Sequence, residues 1–72
     1  VDKQQLQIKI GKRIIELRES IGWSQADLAR ACMKDRQAIE RLESGKGNPT
    51  LYTLYELANA MEMKLSAFTD DF

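Results

Sequence analysis

The sequence predicts an all-α domain of five short helices with a helix-turn-helix at its centre. Three observations predict it. Apolar residues recur at intervals of three and four along most of the chain, the spacing of one helical face. β-branched residues never alternate over a useful length, so the strand signal is weak. Two short helical segments in the middle are separated by a turn of three or four residues, which is the helix-turn-helix arrangement. Seventy-two residues make a single domain, 1–72, with a small core that must pack well to fold.

The first helix is expected over 3–21, with Leu6, Ile10, Ile14, Leu17 and Ile21 on its apolar face. Gly11 costs this helix about 1 kcal/mol relative to alanine, and it leaves room for another backbone to come close. Gly22 ends the helix. Ser24 caps the second helix, about 25–31, with Asp27 completing a near capping box and Trp23 placed to staple onto Leu28. Leu28, Ala29 and Cys32 face inward. The turn is Cys32-Met33-Lys34, Asp35 caps a third helix at about 36–44, and Gly45 stops it. The helix-turn-helix thus spans about 24–45. Residues 45–49, Gly-Lys-Gly-Asn-Pro, are a loop by composition. Thr50 caps a fourth helix, about 51–62, with Leu51, Leu54, Leu57, Ala58 and Met61 on one face. A short fifth helix starts near Ser66 and carries Leu65 and Phe68 inward. An acidic tail, 69–72, closes the chain.

The third helix carries the chemistry. At about 100° per residue, Ala38, Ile39 and Leu42 share one side. Arg36, Gln37, Glu40, Arg41 and Ser44 share the other. Arginine, glutamine and glutamate are the side chains that read guanine, adenine and cytosine edges, and Arg36 and Gln37 lie in the first turn, which enters the groove. Taken alone, that face also fits an ordinary solvated helix with an Arg36–Glu40 pair worth about 0.3 kcal/mol. Glu43 lies apart, at the border of the apolar side. A carboxylate there needs a partner, and Arg18, on the flank of the first helix's apolar face, is expected to supply it.

Composition excludes much else. With no histidine, no phosphate-binding glycine motif and no metal-ligand spacing, neither catalysis, a metal nor a cofactor is expected. Cys32 and the methionines Met33, Met61 and Met63 read as core and link packing. One cysteine cannot make an internal disulfide, which points to a reduced, cytoplasmic setting. No apolar run approaches the about 18 residues of a membrane span, and no signal pattern opens the chain at Val1. Net charge is zero, but residues 1–48 hold ten Lys/Arg against seven Asp/Glu, while 49–72 hold one against four. The basic excess of three lies in the half with the helix-turn-helix.

From Arg18 to about Phe68 the chain resembles the Cro/CI-type helix-turn-helix domains of phage repressors, the XRE group. GWSQADLARA is similar to the group's turn and second helix, DRQAIERLESGK to its recognition helix and stop, and NPTLYTLYELANAMEM to its fourth helix. Arg18 and Glu43 stand where many members keep a buried pair. The resemblance implies a compact five-helix, phage-repressor-like fold that binds double-stranded DNA sequence-specifically as a small transcriptional regulator. Arg36, Gln37, Glu40 and Arg41 would then face bases in the major groove. Glu40 would accept from a cytosine or orient Arg36 or Arg41. Gln25, Lys34, Ser44, Lys46, Asn48, Thr50 and, more weakly, Tyr52 would hold phosphates, with Lys12 and Arg13 adding long-range attraction. The group usually has Gly then Val in the turn. Met33 must therefore accept a positive φ or the turn must differ, and the Lys34 stem must cover core while its ammonium reaches water or phosphate.

One helix in one groove reads few base pairs, so a homodimer on a palindromic operator is expected, its recognition helices about 34 Å apart. The 45–50 loop, the fourth helix and the last helix with Phe68 or Phe72 are the surfaces available for it. The alternative is an antitoxin or other interaction module, with a toxin or another protein as partner.

Overall fold

The structure, a computed structural model, describes residues 2–70. It contains five helices among those residues: α1 Lys3–Ser20, α2 Gln25–Ala31, α3 Arg36–Glu43, α4 Leu51–Ala60 and α5 Ser66–Thr69. No strand is present among them. α3 packs against both α1 and α2, while α4 and α5 close the other side.

The caps explain where helices begin. Ser24 and Asp27 form the full reciprocal box at α2, and their hydrogen bonds hold the Asp27 carboxyl below its usual pKa. A second box, Asp2 with Gln5, opens α1; an Asp-x-x-Gln pattern marks it in the sequence. Thr50 accepts from the Thr53 amide at α4. Asp35 holds the N-cap backbone conformation of α3, yet its side chain makes no capping hydrogen bond, so the cap expected there is one of position only.

The ends follow one rule. After α1, α2, α3 and α4 the chain turns left-handed at Gly22, Met33, Gly45 and Glu62, with φ of 75°, 58°, 80° and 57°. Each time, two amides fold back onto the final turn, as in Lys34 N to Ala29 O at 2.8 Å and Met63 N to Ala58 O at 2.8 Å. Met33 therefore does accept the positive φ in place of glycine. Glu62 does the same and ends α4 two residues earlier than 62. Met33 is 94% exposed, so it is not core packing: its left-handed backbone at the end of α2 carries the side chain to solvent. Met33→Gly should raise stability by up to about 1 kcal/mol, because it relieves the left-handed cost without losing packing, offset in part by a freer unfolded chain. A rise in thermal midpoint checks this.

The core is Ile10, Ile14, Leu28, Ala29, Ile39, Leu54, Leu57, Ala58, Met61 and Phe68, with Leu17, Trp23, Cys32, Leu42, Met63 and Leu65 packed around it. Three expected core positions fall outside. Leu6 and Ile21, at the two ends of the α1 stripe, and Leu51, in the first turn of α4, are exposed because the core is shorter than those helices. Phe68 is fully buried and so is unavailable as a dimer surface. Val1 and the last two residues of the acidic tail, Asp71 and Phe72, lie outside the described residues.

Candidate nucleic-acid interface

Beyond the shared core, two close contacts fix α3 against α1. At Gly11 the backbones approach so closely that an added Cβ would stand 2.6 Å from the carbonyl oxygens of both Leu42 and Glu43. Two turns along α1, Arg18 reaches the Glu43 side chain in a fork, with Nε to Oε2 at 2.7 Å and Nη2 to Oε1 at 3.1 Å. Both side chains are at least nine-tenths buried. Arg18 Nη1 donates to the Trp23 carbonyl at 2.7 Å. The hydrogen bond to Glu43 raises the guanidinium's pKa further, against the opposing effect of burial.

The opposite side of α3 faces solvent. Arg36, Gln37, Glu40 and Arg41 are all exposed and line one open groove. The Ser44 hydroxyl donates to the Arg41 carbonyl at 3.1 Å. The 45–50 loop wraps the end of α3, with the Lys46 and Gly47 amides both donating to Arg41 O at 3.0 Å. Lys46, Asn48 and Thr50 are exposed along it. A shallow cleft brings Arg41 of α3 beside Asn48 and Pro49 of the loop, and Gln7 of α1 donates to Asn48 Oδ1 at 3.4 Å. The exposed face of α3 and the loop thus meet along one surface.

Three expected site residues are engaged otherwise. Lys34 Nζ lies 2.9 Å from Glu56 Oε1 of α4, and this hydrogen bond raises its pKa above the ordinary lysine value; its ammonium closes the turn onto α4, and a phosphate would have to compete with a carboxylate for it. The Gln25 side chain turns inward, donating to Glu43 Oε1 at 2.8 Å and accepting from Arg36 Nη1 at 3.0 Å. Arg36 is therefore oriented by Gln25 and not by Glu40. The Tyr52 ring stacks on Tyr55, centroids 6.4 Å apart. No group of metal-ligating side chains occurs among the described residues, and no described helix is long and apolar enough to cross a membrane.

A helix that anchors by one side in a helix-turn-helix and presents arginine, glutamine and glutamate on the other is the arrangement of the helix-turn-helix DNA-binding motif. Residues 14–68 match the helix-turn-helix family HTH_3, and the chain belongs to that family. A curated relative, the HTH-type transcriptional regulator y4dJ of Sinorhizobium fredii, is 36% identical over 52 residues, 72% of this chain and 68% of its own. Among solved structures, the restriction-modification controller protein C.AhdI of Aeromonas hydrophila superposes with a TM-score of 0.83 at 32% identity, covering 86% of this chain and 94% of that one. An HTH_3 family transcriptional regulator from Vibrio cholerae reaches a TM-score of 0.91 at 26% identity; it covers 97% of this chain, which matches 39% of that longer protein.

Proposed function

We propose that the protein is a sequence-specific DNA-binding regulator that lays α3 in the major groove of a palindromic operator. The observation that carries this reading is the segregation on α3: every outward side chain in its first two turns is of a base-reading type, and the inward ones anchor it. Arg36 and Gln37, at the leading end, read bases. Glu40 and Arg41 follow deeper along the groove, with Glu40 accepting from a cytosine. Lys46, Asn48 and Thr50, with the start of α4, hold the flanking phosphates, and Ser44 adds a hydroxyl at their edge. Two protomers related by a two-fold axis would set their α3 helices one helical turn apart. The exposed apolar residues Leu51 and Tyr55 of α4 support that helix as the dimer contact.

A salt titration of duplex affinity tests the reading. Because the chain is electrically neutral overall, a steep salt dependence has to come from local phosphate contacts. Log affinity should fall linearly with log salt. Lys46→Ala should weaken all sequences alike and reduce the slope by about 1 per protomer. Absence of binding to any duplex at low salt would overturn the proposal.

A further inference from the structure

We infer that Gln7 is a positioning residue for phosphate binding by Asn48, and that the first two turns of α1 brace the loop on which Asn48 stands. The inference rests on the DNA-binding reading above, in which Asn48 holds a phosphate. Four contacts follow one another down α1, in reverse order to the chain they meet. Arg18 pairs with the Glu43 side chain at 2.7 Å. The backbone at Gly11 lies against the Leu42 and Glu43 carbonyls. Ile8 lies against Gly45, where an added Cβ would stand 2.8 Å from Ile8 Cγ1 and 3.1 Å from its Cα. Gln7 Nε2 donates to Asn48 Oδ1 at 3.4 Å. Positions 7, 11 and 18 recur at steps of four and seven, with Ile8 beside them, so the four residues share one side of the helix. α1 thus runs from the end of α3 onto the loop and splints it. The family match begins at residue 14, so Gln7 and Ile8 precede it. The Asp2–Gln5 capping box gives these added turns a fixed beginning.

The chemistry of the two amides sets their roles. A phosphate oxygen only accepts hydrogen bonds, so the Asn48 side chain can hold one only through its nitrogen. Its oxygen must then turn back to the protein and meet a donor there, and Gln7 supplies that donor. Asn48 also precedes Pro49, which confines its backbone to extended conformations. Rotation of the side chain is the main freedom left. At 3.4 Å the hydrogen bond is long, and it steers the exposed amide more than it strengthens the fold. Asn48 is oriented before it meets DNA, which reduces the ordering that binding requires.

A positioning residue and a direct phosphate ligand behave differently on substitution. Gln7→Met keeps a similar stem and removes the donor. Affinity is measured over a salt series for the wild type, Gln7→Met, Asn48→Ala and the double variant. The duplexes are the site selected from a random pool and an unrelated sequence, and thermal unfolding checks the fold. Gln7→Met should weaken both duplexes alike, about two- to fivefold per protomer, the lower part of the range for one net hydrogen bond. The salt slope should stay at the wild-type value, because no charge is removed. Gln7→Met should add nothing once Asn48 is alanine, and Gln7→Ala should repeat the pattern. Unchanged affinity in Gln7→Met, or effects that add in the double variant, would overturn the inference, the second because Gln7 would then meet DNA itself. The free protein supplies a readout that needs no DNA. Side-chain NMR should find the Asn48 amide restrained in the wild type and mobile in Gln7→Met, and equal mobility in both would also overturn it. A wild type that binds no duplex, with Asn48 still restrained by Gln7, would count against the DNA-binding reading and leave the brace standing.

Discussion

Glu43→Ala is expected to cost the fold about 3–5 kcal/mol, a large part of the stability that a domain this small can hold. The substitution leaves Arg18 buried, charged and stripped of its forked partner, with only the Trp23 carbonyl still accepting from it. The penalty comes from that orphaned charge more than from the pair's net worth. Replacing both partners by apolar residues, Arg18→Met with Glu43→Leu, should therefore recover much of the loss. Urea unfolding of the three variants decides the matter. Losses below about 1 kcal/mol for Glu43→Ala would mean that water reaches Arg18 and that the pair is a surface one.

Gly11→Val should be comparably severe. The atoms that its Cβ would meet are backbone carbonyls at the end of α3, 2.6 Å away, and they cannot rotate aside as a side chain can. Relief requires α3 to move off α1, which also draws Glu43 away from Arg18. Gly11→Ala is the informative control. Helix propensity alone would make it stabilising by about 1 kcal/mol, whereas overpacking costs about 1–3 kcal/mol. We expect a net loss for alanine and a loss of about 3 kcal/mol or more for valine, measured by the same urea unfolding. A stabilised Gly11→Ala would show that the two helices have slack between them.

Much of this arrangement was legible in the amino-acid order, for reasons that differ by position. Arg18 and Glu43 could be paired because a carboxylate on the border of an apolar face requires a cation, and Arg18 stood on the flank of the neighbouring face. Ser24 with Asp27, and Thr50, announced their helices through short polar side chains that can accept from a backbone amide of the first turn. Gly11 hinted at a close backbone because little else justifies glycine inside a helix. Other features left no mark. Nothing in a glutamate signals a left-handed backbone, so the end of α4 at Glu62 was invisible. Leu51 looks like a core residue by spacing, and only the extent of the core decides that it is not. The inward turn of Gln25 depends on the distance between α2 and the end of α3, which no local pattern encodes. Lys34 was expected to reach outward, and Glu56, 22 positions later, draws it to α4.

We propose that α3 reads DNA with Arg36 and Gln37 at its leading end. Selection of binding sites from a random duplex pool, with the wild type beside Arg36→Ala and Gln37→Ala, tests it most directly. The wild type should yield a two-fold symmetric motif. Each substitution should relax one position per half-site, at a cost of about 1–3 kcal/mol, and leave the rest of the motif unchanged. A motif that survives both substitutions intact would contradict the assignment of α3 as the reading helix.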